Sequence, residues 1–318
     1  MDQPAIEILD VGRVFTESGR NLVALDGVSF TVGPGEIVGL LGGNGAGKTT
    51  LTKILSTLLL PTSGTARVLG TDVVLDPTAV RSRQSVVLGG DRGLYGQLTA
   101  RENLRFFGML DGIPHRRLMT RLDAALEEVG LGHAADRRVE SFSKGMRQRL
   151  HIAIGLISDP QVLLLDEPTV GLDPIEAARL RTSIAGLRSN GVAVLLTSHY
   201  LLDVEELADR VVMLDQGRIT HEMSVADFSA SLGYTATVVV RGSGAAPVEE
   251  RFRSTGAVGV RIETDAGGWQ AKLKLSHWSP AVLVALGEAL GDAHIEGMDV
   301  LPARMEDAFI QLQAETVR

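Results

Sequence analysis

The run Gly42-Gly43-Asn44-Gly45-Ala46-Gly47-Lys48-Thr49 spells G-x-x-x-x-G-K-T. It lies between the apolar segment Ile37-Val38-Gly39-Leu40-Leu41 and the helical stretch Thr50 to Leu58. A chain with this order must build a strand, a tight loop and a helix in succession, which implies an α/β fold. The glycines let backbone N–H groups turn inward around β- and γ-phosphates, and the helix start adds its positive dipole end. Lys48 supplies a point charge, and the Thr49 hydroxyl is placed to ligate Mg²⁺. The loop from Gly42 to Thr49, with Thr50 behind it, is therefore the candidate binding site for a nucleoside triphosphate.

Composition narrows what surrounds that loop. The chain has 318 residues, 44% of them hydrophobic, enough for one large domain and a small one. Lys and Arg total 31 against 39 Asp and Glu, a net charge of −8 that argues against a nucleic-acid partner. Cysteine is absent, so a disulfide framework, a thiolate metal site and a cysteine nucleophile are all excluded. The start Met1-Asp2-Gln3-Pro4 lacks the basic and apolar regions of a signal peptide, which predicts a cytosolic location. Apolar runs such as Val162 to Leu165 and Val192 to Leu196 fall far short of the roughly 18 to 20 residues of a spanning helix, so a membrane role requires another subunit.

Along the chain, β-type segments come first: Ile6 to Leu9, Val28 to Val32 and Ile37 to Leu41, then short strands near Ala66 to Leu69 and Ser85 to Leu88. From Thr99 to Leu156 the pattern is helical. Thr99 and Glu102 form a capping box, and Leu118, Leu122, Ala125, Leu126 and Val129 recur at helical spacing. Between Arg81 and Arg149 there are thirteen Lys and Arg against eight Asp and Glu, which fits either a solvated face or one turned toward a membrane or its protein partner. Beyond this region Val162 to Leu165, Val192 to Leu196 and Val211 to Leu214 read as buried parallel strands, separated by helices at Pro174 to Arg188 and Leu201 to Leu207.

The apolar strand Val162 to Leu165 runs into Asp166-Glu167-Pro168. Adjacent strand residues point to opposite faces, so the two carboxylates have different tasks: Asp166 is placed to hold Mg²⁺ and Glu167 to polarise an attacking water. Pro168 is expected to end the strand.

With Ser141-Phe142-Ser143-Lys144-Gly145-Met146-Arg147-Gln148 the chain resembles the ATP-binding subunits of ABC transporters, which carry their LSGGQ signature at this place. The resemblance covers about residues 5–222. It implies a P-loop NTPase fold of ABC type, with a helical subdomain at about 93–158, and ATP and Mg²⁺ as cofactors. Ser143 reads as the N-cap of a helix from Lys144 to Ile157, so its hydroxyl, the Gly145 amide and the helix dipole make a second anion site. In the family this signature (Ser143, Lys144, Gly145, Met146) meets the γ-phosphate held by the other subunit, which implies a head-to-tail homodimer with two sandwiched ATP molecules. The resemblance also implies a D-loop at Gly171-Leu172-Asp173, a switch histidine at Thr197-Ser198-His199, with His199 and Glu167 as catalytic residues, and Phe15 as either an adenine-stacking aromatic or a core residue.

The sequence departs from the family pattern at three places. Gly43 stands where Pro is usual, and Lys144 and Met146 replace a Gly and a Gln of the signature. The glutamine of the Q-loop falls on Gly90, with Asp91 the nearest substitute. The run from Gly89 to Tyr95 is similar to a branch of export-type ATPases. The resemblance thus implies a transmembrane permease as partner, attachment to the inner face of the cell membrane through it, and cargo contacts that belong to that permease.

Residues 1–222 are accordingly expected to form the ATP-binding domain and 223–318 an accessory one. In the latter, Thr235 to Val240, Pro247 to Ser254, Val258 to Glu263, Gln270 to Leu275, Pro280 to Leu290 and Ile295 to Val300 read β-α-β-β-α-β, a ferredoxin-like α+β pattern with a turn at Asp265-Ala266-Gly267-Gly268. Together with Met305-Glu306-Asp307-Ala308-Phe309 it resembles the extension of daunorubicin-resistance ATPases. The alternative is a soluble ABC ATPase of translation or DNA, but that reading lacks a second cassette, a basic linker or a coiled-coil insertion. A GTPase or small-molecule kinase finds no support, since none of Lys48, Lys53, Lys144, Lys272 and Lys274 sits in an N-K-x-D motif.

Overall fold

A computed structural model of the chain describes residues 3–17, 20–88, 93–265 and 268–309. Two long strands, β1 (Ile6–Glu17) and β2 (Arg20–Val32), pair antiparallel. The next strand, β3 (Ile37–Leu41), is buried at every position, as suits the middle of a sheet covered on both faces. The phosphate loop then turns into α1 (Lys48–Leu55), two residues earlier than its sequence pattern predicts and ending three earlier. Strands β4 (Ser63–Val68) and β5 (Thr71–Asp72) complete a sheet of order β2-β1-β4-β5. Leu51, Ile54 and Leu55 of α1 share one core with Ile6 and Ile8 of β1 and Val38 and Leu40 of β3.

A short helix α2 (Pro77–Arg81) leads to β6 (Gln84–Leu88). Gly90 and Asp91, the expected Q-loop positions, lie outside the described residues. Three helices follow: α3 (Ala100–Leu110), α4 (His115–Glu128) and α5 (Lys144–Leu156). The capping box of α3 is present, with the Glu102 amide 3.1 Å from Thr99 Oγ1 and the Thr99 amide 2.8 Å from Glu102 Oε2. The apolar stripe Leu118, Leu122, Ala125 and Leu126 buries against Leu104 and Leu150. Several arginines of this region pair within the chain, Arg101 with Asp123 and Asp136, Arg117 and Arg121 with Asp159, and Arg149 with Glu176. Their charge is thus balanced locally.

The parallel core continues with β7 (Val162–Asp166), α6 (Pro174–Gly186), β8 (Ala193–Thr197), α7 (Leu201–Leu207), β9 (Arg210–Asp215) and the antiparallel edge β10 (Arg218–Ser224). The sheet order is β10-β9-β3-β8-β7-β6, so β8 separates the two strands that carry the chemical motifs. Two expectations are corrected here. The helix from Pro174 stops at Gly186 and passes into a 3-10 turn, Leu187–Asn190, that closes on Gly191 at φ 74°. Glu167 does not continue the strand: β7 ends at Asp166 and Glu167 takes φ 51°, a left-handed turn. The two carboxylates diverge because the backbone bends there, rather than because a strand alternates.

The chain divides into two units after Ser224. The second begins with α8 (Val225–Ala230) and builds one antiparallel sheet from β11 (Ala236–Ser243), β12 (Ala257–Asp265), β13 (Gly268–Leu275) and β14 (His294–Pro302), with α9 (Pro280–Leu290) before the last strand. The order β12-β13-β11-β14 places the first and third strands at the centre, the ferredoxin-like arrangement. The predicted helix Pro247 to Ser254 is instead a 3-10 run, Glu249–Thr255. Its buried residues Phe252 and Thr255 stand three apart, the period of that tighter helix. Ala266 and Gly267 of the expected turn lie outside the described residues, and 305–309 are helical.

Candidate functional site

The strand ends of β3, β7 and β8 bring the chemistry together. In an open parallel sheet, ligands bind outside the carboxyl ends of the strands, where backbone groups point outward. From β3 the loop turns at Gly45 and Gly47, with φ of 80° and 113°, values that disfavour any residue with a Cβ. A Cβ on Gly42 would lie 2.2 Å from the Leu214 carbonyl and one on Gly47 2.6 Å from that of Ala24, so these glycines seat the loop on the protein. A Cβ on Gly43 or Gly45 would meet nothing within 4 Å, so this side of the loop is open. Ala46 is buried and locks the loop, its amide bonding the Gly43 carbonyl at 3.2 Å and its carbonyl the Gly217 amide at 3.0 Å. No side chain caps α1, so the first-turn amides of Lys48, Thr49 and Thr50 face outward with the helix dipole behind them. Asn44 and Thr49 are exposed at this rim.

Lys48 is 7% exposed and its ammonium donates to the Gly42 and Gly43 carbonyls at 2.6 and 3.1 Å. Burial pushes its pKa down, and the nearby carboxylates of Glu167 and Asp166 oppose that shift. The three groups therefore share one electrostatic environment, although they lie far apart in sequence. Asp166 Oδ1 accepts a hydrogen bond from the Thr197 hydroxyl at the end of β8. Glu167 is anchored by its amide to the Thr197 carbonyl at 2.9 Å, and its Oε2 stands 2.9 Å from His199 Nδ1. A carboxylate only accepts, so Nδ1 carries the shared proton.

Mg²⁺ suits this donor set. It takes hard oxygen ligands and usually keeps one or two carboxylates plus substrate phosphates and waters, so no all-protein cage is required. The Thr49 hydroxyl and the Asp166 carboxylate meet that pattern, and among the described residues no cluster of three His, Asp or Glu offers a competing metal site.

The remaining predicted residues sit apart from that centre. Ser143 caps α5, its Oγ accepting from the Met146 amide at 3.1 Å, and like Lys144 it is exposed. Gly145 is buried, and a Cβ there would lie 2.4 to 2.7 Å from Glu176. That carboxylate bridges Arg149 at 3.0 Å and Arg179 at 2.8 Å. Lys144 Nζ lies where a Cβ on Gly171 would sit, within 2.1 Å, so the signature lysine covers the D-loop glycine. Asp173 caps α6, accepting from the Ile175 and Glu176 amides, both at 3.0 Å. Phe15 on β1 is half-buried, with the Arg13 guanidinium 4.5 Å from its ring centre.

Sequence reasoning missed Thr197, which holds Asp166, and a buried cluster of Thr169, Ser198, Arg181 and Asp203 behind the site. Local spacing carried no signal for the Thr197–Asp166, Thr169–Asp203 and Arg181–Asp203 pairs, whose members are 31, 34 and 22 residues apart; only Ser198 and Asp203 are close in sequence.

The profile of the ABC transporter family matches residues 25–170. The ABC transporter ATP-binding protein NatA of Bacillus subtilis (strain 168) is 39% identical over 216 residues, 68% of this chain and 88% of the relative. The daunorubicin resistance ATP-binding protein DrrA3 of Streptomyces coeruleorubidus is 38% identical over 300 residues, 93% of this chain and 92% of the relative. Among solved structures, an ATP-binding subunit of an ABC transporter superposes with TM-score 0.61 at 30% identity, covering 72% of this chain and 93% of the other. A dimeric, post-hydrolysis ATP-binding cassette bound to ADP and Pi shares the fold, with TM-score 0.61 at 23% identity over 69% of this chain and 98% of the other. At these identities and coverages, the chain belongs to the family of ABC transporter ATP-binding proteins.

Proposed function

We propose that the chain is the ATP-hydrolysing subunit of an exporter, working as a head-to-tail homodimer on the inner face of the membrane beneath a separate transmembrane permease. The observation that carries this reading is the convergence of Lys48, Asp166 and Glu167, with His199 on Glu167, at the ends of three neighbouring strands. In support of export, relatives covered over most of their length are named for daunorubicin and linearmycin resistance. Among the described residues no helix is long and apolar enough to cross a membrane.

In the proposed mechanism the open side of the loop at Gly43 and Gly45 and the first amides of α1 hold the phosphates, and Lys48 neutralises charge that grows on them in the transition state. Thr49 and Asp166 would hold Mg²⁺, which when bound would supply further neutralisation of the phosphate charge. Glu167 accepts a hydrogen bond from the attacking water and takes its proton as the new bond to the γ-phosphorus forms and the bond to the leaving diphosphate oxygen breaks, while His199 keeps the carboxylate oriented. Ser143, Lys144, Gly145 and Met146 complete the phosphate pocket of the partner subunit. Phe15 stacks the adenine on the ring face away from Arg13. Residues 1–222 carry all of this chemistry, and 223–318 support the dimer or regulate it.

The test separates binding from chemistry. Glu167→Gln should still bind ATP yet hydrolyse it about 10² to 10⁴ times more slowly, the scale of losing a general base. It should then accumulate as an ATP-bound dimer on size-exclusion chromatography with Mg-ATP. A variant that stays monomeric at high concentration with ATP demonstrably bound would contradict the sandwich.

A further inference from the structure

Behind the candidate site lies a carboxylate that would touch neither nucleotide nor water. Asp203, in the first turn of α7, is 1% exposed. A buried charge persists only where partners replace its lost hydration, and here there are three. Its Oδ1 accepts from Arg181 Nη1 of α6 at 3.0 Å. Its Oδ2 accepts from the Thr169 hydroxyl and lies 3.0 Å from Ser198 Oγ. Arg181 is held in turn by Glu206 through Nε at 2.5 Å.

The positions of these partners matter more than their number. Thr169 stands two residues after Glu167, in the turn that Glu167 opens at φ 51°. Ser198 immediately precedes His199. One carboxylate oxygen therefore ties the segment carrying Glu167 to the segment carrying His199. Those two side chains are themselves 31% and 44% exposed, so packing alone does not fix their 2.9 Å contact.

We propose that Asp203 is a positioning residue for hydrolysis, which through Thr169 and Ser198 sets the distance and orientation of Glu167 against His199. The inference rests on the reading of Glu167 as the group that polarises water. The rival is a plain core ion pair with Arg181, and replacing Asp203 itself would disturb both roles and endanger the fold. The discriminating variants are therefore at the hydroxyls. Thr169→Val keeps the shape and the Arg181–Asp203 pair but removes one donor. Ser198→Ala is less clean, because Ser198 Oγ also accepts from the Tyr200 amide at 3.0 Å.

The experiment measures kcat for ATP hydrolysis, equilibrium ATP affinity and the thermal midpoint for the full-length wild type, Thr169→Val, Thr169→Ser and Glu167→Gln. The ¹⁵N signal of the His199 ring, assigned by its loss in His199→Asn, is followed in the wild type and the Thr169 variants. Thr169→Val should lose about tenfold to a hundredfold in kcat, the scale of a displaced reacting group, with ATP affinity and thermal midpoint unchanged. The His199 ring signal should shift, and Thr169→Ser, which restores the hydroxyl, should recover kcat. Wild-type kcat in Thr169→Val beside an inactive Glu167→Gln overturns the positioning role and leaves the reading of Glu167 intact. A loss of kcat that tracks a fall in thermal midpoint and is not rescued by Thr169→Ser assigns Asp203 to the core alone and also overturns it. Full turnover in Glu167→Gln removes the reading of Glu167, and the inference with it.

Discussion

Lys48 is nearly buried, and desolvation pulls its pKa down while Glu167 and Asp166 resist. Removing it leaves two carboxylates without their cation and the phosphates without a fixed positive side chain. Lys48→Ala should lower ATP turnover by roughly 10²-fold or more, as loss of one pre-organised electrostatic contact does, with the circular dichroism spectrum preserved. Near-normal turnover in the folded variant would remove the loop from the site. Lys48, Thr49, Asp166 and Glu167 were legible from sequence because each lies in a short motif beside a strand or helix end. Thr197 and Asp203 were not, since their partners Asp166 and Thr169 are neighbours only after β7 and β8 have paired and α7 has packed.

At the scale of elements, α5 and α6 meet where Gly145 faces Glu176. The approach of 2.4 to 2.7 Å involves the Cβ and Cγ of Glu176 as well as its carboxylate, and both of its oxygens are engaged by arginines. Gly145→Ala should therefore cost about 1 to 3 kcal/mol, the usual range for overpacking, read as a lower denaturant midpoint with an unchanged slope. A midpoint equal to wild type would mean that Glu176 swings aside freely. Elements with local signals were read well: the Thr99 capping box and the Ser143 cap both form where their spacing placed them. The misreadings came from backbone bends that residue types do not encode. Glu167 leaves its strand at a left-handed turn, and Glu249–Thr255 winds as a 3-10 helix because only Phe252 and Thr255 find a core to enter.

For the whole molecule, the proposed sandwich makes each phosphate pocket a product of two chains. Ser143→Arg and Lys48→Ala proteins, each inactive alone, should regain part of their ATPase activity when mixed, because one composite site of the heterodimer then carries neither change. Full activity in Ser143→Arg alone would refute the shared site. The ferredoxin-like order of the second unit was readable from the succession of its elements along the chain and the close spacing of β12 and β13 in sequence, whereas the central sheet of the first unit depends on distant partners. Strand β3 pairs with β8 and β9, whose residues begin at Ala193 and Arg210. During synthesis, at about 5 to 20 residues per second, that fully apolar strand waits on the order of ten to thirty seconds for its neighbours to leave the ribosome. Such non-local pairing slows folding and leaves an unpaired apolar edge open in the interval. Fragments that stop before Arg210 should therefore aggregate rather than bind nucleotide, read as light scattering against ATP binding, because in them β3 never acquires both of its neighbours.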